Sequence, residues 1–386
     1  MSRPVGHPAL TPFGTTIFAT MSALALEHDA INLGQGFPDT DGPAEVLDAA
    51  VAAIRGGRNQ YPPGPGVPEL LDAVIAHQRR FYGIELERSQ VLVTVGATEA
   101  IAAVVLALVQ PGDEVVTFEP YYDSYAATIA LAGGVRRTSV LRFPDFAVDE
   151  ASLRAAFSER TRMVLLNTPH NPTGKVFTRA ELELVCALAR EHDAWVVTDE
   201  VYEHLIFDGL EHLPVATLPG MAERTLTISS AGKTFSTTGW KVGWVSGPAE
   251  AVAAARAVKQ FLTFVGSGPF QPAVATGLGL PDSAYAALAS SLQAKRDLLC
   301  SGLEAAGLAV SRPAGTYFVI ADAAPLGATD ALEFCHELPE RAGVVGIPVS
   351  VFHDDADAAR TLVRFAFCKR DEVLHEAVRR LTALRH

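Results

Sequence analysis

Between residues 91 and 246 the chain alternates short β-rich runs with helical patterns, and no other feature restricts its fold as tightly. Runs of Val, Ile, Leu, Thr and aromatic residues fall at 91–95, 115–118, 163–166, 195–198, 225–228 and 242–246. Helical patterns fill most of the intervals. One covers Glu99 to Val109, and another opens at Thr178 with Glu181 three residues on, a capping box. Such alternation predicts a mostly parallel sheet covered by helices on both faces. In sheets of that kind a ligand sits beyond the carboxyl ends of the strands.

The flanks differ. Residues 1–45 are rich in Gly, Pro and Thr and read as an extended arm with one short helix. From residue 285 a long helix, strand-like runs at 316–321 and 362–367, and a last helix from Asp371 predict a smaller α+β domain. With 386 residues, about two domains are expected: 46–284 as the large domain, and 285–386 as the small one, joined by the 1–45 arm. The net charge of −13 argues against nucleic acid and anionic membrane as partners. Cys186, Cys300, Cys335 and Cys368 form no CxxC pair and read as buried free thiols, which suits a reducing cytoplasm. Ile17–Leu26 is not expected to act as a signal-peptide core, because Thr20 and Ser22 interrupt it and Arg3 alone precedes it with positive charge.

Unusual polar residues stand where the predicted strands end. Val91–Val95 runs into Gly96-Ala97-Thr98 and a helix, and a glycine turn at a helix N-terminus offers free N–H groups and the positive dipole end to a phosphate. Most turns of that type hold no ligand. Met163–Leu166 runs into Asn167-Thr-Pro-His-Asn171-Pro-Thr-Gly174, a rigid turn that can hold an amide in place or be a plain Asn-Pro loop. Trp195–Thr198 runs into Asp199 and, three residues on, Tyr202. A carboxylate at the end of a buried strand is costly unless a cation such as a protonated pyridine nitrogen meets it; a helix N-cap is the other reading.

Thr225–Ser229 runs into Ser230-Ala-Gly-Lys233 and on to Lys241. A lysine in an enclosed site is neutral enough to form an imine, and the nearby Ser and Lys can hold a phosphate. A P-loop would need glycine at position 227, where Thr stands. Ser230-x-x-Lys233 matches the serine β-lactamase nucleophile pattern, but the companion SDN and KTG elements are missing. In Leu362–Phe367 strict alternation sets Arg364 opposite Val363, Phe365 and Phe367, as either a carboxylate-binding fork in a cleft or a solvated edge-strand residue.

Together these segments resemble the class I and II aminotransferases, the pyridoxal 5′-phosphate (PLP) enzymes of the aspartate aminotransferase fold. The resemblance runs through NLGQGFPD from Asn32, NQYPPGPG from Asn59, VTVGATEA from Val93, FEPYYDSY from Phe118, NTPHNPTGK from Asn167, TDEVYEHLIFDG from Thr198, SSAGKTFSTTGWKVGW from Ser229, GTYF from Gly315 and VRFAFCKR from Val363. It implies a fold-type I PLP transferase, α/β, with a mostly parallel seven-stranded sheet in the large domain and a smaller α+β domain. The chain looks most similar to the kynurenine, glutamine and methionine aminotransferase group, and especially to bacterial N-succinyldiaminopimelate aminotransferases.

That resemblance carries roles onto matching positions. Lys233 is the Schiff-base lysine and later shuttles a proton between the substrate α-carbon and the cofactor C4′. Asp199 keeps the pyridine nitrogen protonated, and Asn171 and Tyr202 hydrogen-bond the ring oxygen O3′. Tyr122 stacks on the ring. Gly96, Ala97, Thr98, Ser230 and Lys241 make the phosphate site, which Tyr61 reaches from the other subunit of a homodimer. Arg364 binds the substrate α-carboxylate, helped by Asn167 and the Gly36 backbone. Lys241 stands where aspartate aminotransferases carry Arg, a positive charge without the fork. No metal is implied. Phe37, Tyr61, Tyr122 and Tyr202 are expected to line an apolar pocket with few charges, suited to a large side chain.

PLP alone permits several reactions, and the protein selects among them by orienting the Cα–H bond and placing the lysine beside it. The expected activity is amino-group transfer between an L-amino acid and a 2-oxo acid, with N-succinyldiaminopimelate and 2-oxoglutarate or glutamate ranked ahead of methionine, glutamine or kynurenine. A cysteine-conjugate-type β-lyase would share Lys233, Asp199 and Arg364; its product, pyruvate and ammonia with a thiol, separates it. A regulator using the fold only as a sensor would carry a basic DNA-binding domain ahead of the core, where this chain has fewer than about 45 residues and the wrong charge.

Overall fold

A computed structural model describes residues 6–13 and 16–385; Met1 and Arg3 lie outside them. In chain order the strands are β1 (Ile31–Asn32), β2 (Val91–Thr94), β3 (Glu114–Glu119), β4 (Val135–Val140), β5 (Thr161–Asn167), β6 (Trp195–Asp199), β7 (Thr225–Ser230), β8 (Gly243–Ser246), β9 (Ala309–Ser311), β10 (Phe318–Asp322), β11 (Val344–Val345), β12 (Ile347–Pro348) and β13 (Leu362–Ala366). Seven of them form the large sheet in the order β2-β8-β7-β6-β5-β3-β4, parallel except for β8. The inner strands β3, β5, β6 and β7 are buried nearly throughout, as helices on both faces require, and so they read as continuous apolar runs.

β4 was not anticipated. It is an edge strand of sequence VRRTSV whose residues, apart from buried Ser139, are exposed or half-buried, so it lacks the apolar density by which its neighbours were found. The helix Gly96–Leu108 begins at Gly96, earlier than its apolar pattern. Thr178 caps the helix Arg179–Glu191 with both bonds of the capping box, Glu181 N–H to Thr178 Oγ1 at 3.3 Å and Thr178 N–H to Glu181 Oε2 at 2.8 Å.

The antiparallel sheet β12-β13-β10-β9 holds β13 between β12 and β10, so the reading of Arg364 as a solvated edge residue fails. The long helix beside it is Asp282–Ala305, and the last is Asp371–Thr382. The N-terminal arm is tied to this part of the chain: β1 pairs with β11, the Leu33 N–H donates to Val345 O at 3.0 Å, and the Ala366 N–H donates to Leu33 O at 2.7 Å. These bonds bring the backbone of residues 34–36 beside β13 and over the carboxyl edge of the large sheet. All four cysteines are buried and unbridged. Among the described residues no helix is long and apolar enough to cross a membrane.

Candidate active site

Sheet register assembles the site. Asn167 pairs with Asp199, Asp199 with Ile228, and Ser230 with Gly243, which in turn pairs with Thr94. Side chains far apart in sequence therefore share one edge of the large sheet. They border a single cavity lined by Gly96, Ala97, Thr98, Tyr122, Asn167, Asn171, Asp199, Tyr202, Ser230, Lys233 and Lys241. Every one of these was singled out from sequence, whereas Tyr125, Val201, Gly232, Thr238 and Val242, which complete the lining, were not.

Lys233 lies in the one-turn helix Ala231–Thr234 after β7. Its Nζ donates to the Tyr317 hydroxyl at 2.9 Å and approaches the Gly36 carbonyl at 3.5 Å. Burial disfavours the ammonium and brings its pKa down to about 8. Asp199 ends β6 and is followed by a turn, so it caps no helix. It is 5 % exposed, and its Oδ2 accepts from the Tyr125 hydroxyl at 2.7 Å. Burial raises its pKa to about 6 although that hydrogen bond opposes the shift. The two groups thus occupy one enclosure in which charge is costly and a partner of opposite sign is rewarded.

At the other end of the cavity the helix Gly96–Leu108 presents its N-terminus. Gly96 has φ of 73°, and a Cβ there would come within 3.0 Å of Lys241 Nζ, so glycine both turns the chain and admits the lysine. The unpaired N–H groups of a first helical turn, the Ser230 hydroxyl and the Lys241 ammonium form a donor set suited to a phosphate.

Arg364 is 2 % exposed and stacks 4.1 Å from the Phe318 ring centroid. Its Nη1 donates to Asn171 Oδ1 at 3.1 Å and its Nη2 to Gly34 O at 3.0 Å, while Nε is buried without a partner. No carboxylate pairs with it among the described residues, and burial lowers its pKa to about 10. An enclosed guanidinium with an unmet donor is a carboxylate receptor in chemical terms. Asn167 acts as a brace: its Nδ2 donates to Asp199 O at 2.7 Å and its Oδ1 accepts the Asn171 N–H at 2.6 Å. Gly36 has no room for a side chain, since a Cβ would lie 2.4 Å from the Phe318 ring.

The expected aromatic lining needs one correction. Phe37 does not line the cavity; it is 46 % exposed and covers the Lys369 ammonium. Tyr61 is 81 % exposed, packs edge-on against Phe264, and does not reach the cavity of its own chain. Sequence reasoning also missed Tyr125 and Tyr317. Both lay inside recognised motifs, and the clue was chemical: a tyrosine in an apolar context needs a partner for its hydroxyl.

Residues 28–381 match the family model of aminotransferase class I and II. The chain is 54% identical to a probable N-succinyldiaminopimelate aminotransferase of Mycobacterium tuberculosis over 97% of each chain. It is 43% identical to the methionine aminotransferase of Escherichia coli, again over 97% of each. The solved structure of the Mycobacterium tuberculosis N-succinyldiaminopimelate aminotransferase superimposes with a TM-score of 0.96, covering 98% of this chain and 100% of that one.

Proposed function

We propose that this chain, which belongs to the class I and II aminotransferase family, is an N-succinyldiaminopimelate aminotransferase that uses Lys233 as its Schiff-base lysine. The chain is a PLP-dependent transaminase of the aspartate aminotransferase fold. The cavity suits that cofactor: a buried carboxylate, a buried amine and a phosphate-type donor set line one enclosure.

When bound, PLP draws electrons from the substrate α-carbon and so acidifies its C–H bond. Asp199 would hold a positive charge at the pyridine nitrogen, offsetting its own burial. Gly96, Ala97, Thr98, Ser230 and Lys241 would hold the phosphate, Tyr122 would stack on the ring, and Asn171 and Tyr202 would meet O3′. Arg364 would bind the α-carboxylate with Asn167 and Gly36 beside it, which orients the Cα–H bond toward Lys233. Lys233, held by Tyr317 and with its pKa near neutrality, can accept that proton and return it. We assign residues 46–284 to the large domain and 285–386 with the arm to the small one. We further propose a cytoplasmic homodimer in amino-acid biosynthesis, with Tyr61 reaching its partner's phosphate site.

The choice of substrate rests on the 54% identical relative and on one observation. A groove of about 630 Å³ lined by Phe13, Phe18, Asp123 and Phe352 lies beside the site, and Arg364 is 5.3 Å from Phe18 and 5.2 Å from Phe352. A substrate held at its α-carboxylate therefore has space for a long side chain. Two measurements test the assignment. Borohydride should fix the cofactor to a peptide containing Lys233, and labelling at Lys241 would reverse the two lysines. Comparing kcat/KM for N-succinyldiaminopimelate, methionine, kynurenine and aspartate should rank the first highest. A tenfold preference for methionine or kynurenine, about 1.4 kcal/mol, would overturn the substrate but not the family.

A further inference from the structure

Behind the loop that carries Asp199 and Tyr202 lies a polar cluster that transamination does not use. His77 comes from the helix Pro68–Tyr82, and Glu203 and His204 from the turn after β6. His77 is 2 % and Glu203 5 % exposed, and His204 is half-buried. One ligand atom from each, an imidazole nitrogen or a carboxylate oxygen, lies within 4.8 Å of the other two. The two imidazoles face each other through Nε2 atoms 2.7 Å apart. Phe81 and Tyr285 wall the group, with ring centroids 4.7 Å and 4.4 Å from that of His204.

We propose that His77, Glu203 and His204 bind a divalent transition-metal ion, of which Zn²⁺ is the type, as a structural clip between the helix Pro68–Tyr82 and the active-site loop. The donor set of two imidazole nitrogens and one carboxylate is a zinc set, with the fourth tetrahedral position left for a water that enters past His204, the least buried of the three. Tetrahedral bonds of the zinc–nitrogen length set ligand atoms about 3.3 Å apart, so the two Nε2 atoms must separate by about half an ångström and the rings, which face each other nearly end to end, must tilt toward a shared ion. His77 Nδ1 has no partner, so no second hydrogen bond fixes its tautomer; whichever Nε2 donates across the 2.7 Å contact must move its proton to Nδ1 before it can ligate an ion.

Protonation also suits an ion. Burial disfavours the imidazolium form of both histidines. Burial opposes ionisation of Glu203, while the Ser229 hydroxyl, which donates to its Oε1 at 2.6 Å, favours the carboxylate. The neighbouring carboxylate does not compete: Glu200 is already paired with His212 at 2.7 Å. A dication would meet one buried negative charge and two lone pairs.

Untagged holoenzyme, equilibrated with Zn²⁺ or Co²⁺ and freed of excess ion by gel filtration, provides the test. The wild type should retain about one ion per chain. The Co²⁺ form should show the visible bands of a tetrahedral site, displaced from those of the cofactor. His77→Gln and His204→Gln should weaken retention at least about a hundredfold, the upper end of what loss of an outer-shell partner alone costs. The exposed His336→Gln should retain the ion. Zn²⁺ should raise the unfolding temperature of the wild type and of His336→Gln but not of the cluster variants. Should a histidine variant fail to fold, Glu203→Gln, which keeps the shape and the Ser229 contact, replaces it. A wild type that retains no ion, or cluster variants that retain it as the wild type does, would overturn the site. Neither result touches the transaminase assignment.

Discussion

Burial, more than any neighbouring charge, sets the chemistry of Lys233. Its pKa of about 8 against an ordinary 10.5 has a consequence for the cofactor-free protein. Below pH 8 folded and unfolded chains both carry the proton, and the folded chain bears the whole cost of an enclosed ammonium, about 3 kcal/mol. Between pH 8 and 10.5 the folded chain binds fewer protons than the unfolded one, so stability recovers as pH rises. Cofactor-free Lys233→Met should therefore be more stable than wild type at neutral pH, with the difference shrinking above pH 8 as other titrations cancel between the two proteins. Urea denaturation across that range reads the difference directly, and a gap that does not change with pH would refute the depressed pKa. Asp199 was legible because a carboxylate ending a buried strand needs either a cation or a helix to cap, and Lys233 because a lysine among hydroxyl residues beyond a buried strand suits an enclosed imine and phosphate site. Tyr125 and Tyr317 were not, because their hydroxyl partners, Asp199 and Lys233, are brought to them only by the fold.

Among the elements, those with strong local signals were read and those defined by pairing were not. The helix after Thr178 announces itself through its cap, and both reciprocal bonds are present. Thr178→Ala should lower stability by about 1 kcal/mol, the usual cost of losing such a cap, and leave turnover unchanged because this end of the helix lies outside the cavity-lining set. A chemical-denaturation midpoint that does not move would show that the cap is redundant with the Lys175–Glu181 ion pair at 2.8 Å. Edge strand β4 and the two-residue ladder of β1 with β11 carry no comparable signal. Their residues are strand only because a neighbour pairs with them, as Asn32 does with Val345. Yet that short ladder holds the Gly34–Gly36 backbone against Arg364 and Tyr317, so an element invisible in the sequence helps to shape the substrate side of the cavity.

On the scale of the whole molecule, one surface of the single chain is chemically out of place. Tyr61 and Phe261 are 81 % and 88 % exposed, and Leu262 and Phe264 are also open to solvent, with the Tyr61 and Phe264 rings 5.5 Å apart. Clustered exposed aromatics mark an interface, and the failure of Tyr61 to reach its own cavity fits a residue that serves a second copy. In a two-fold dimer, mixing Tyr61→Phe with Lys233→Ala subunits separates the defects by geometry. In each mixed dimer one site carries both lesions, while the other combines an intact Lys233 with an intact Tyr61 from across the interface. Statistical exchange should therefore regenerate about a quarter of the wild-type sites from two preparations that are each weak alone. Recovery should follow the rate of subunit exchange and vanish if the two proteins are cross-linked before mixing. Activity that never rises above the average of the two separate preparations, with exchange verified by mass, would place Tyr61 outside the partner's site and leave the aromatic patch as a contact surface without a catalytic share.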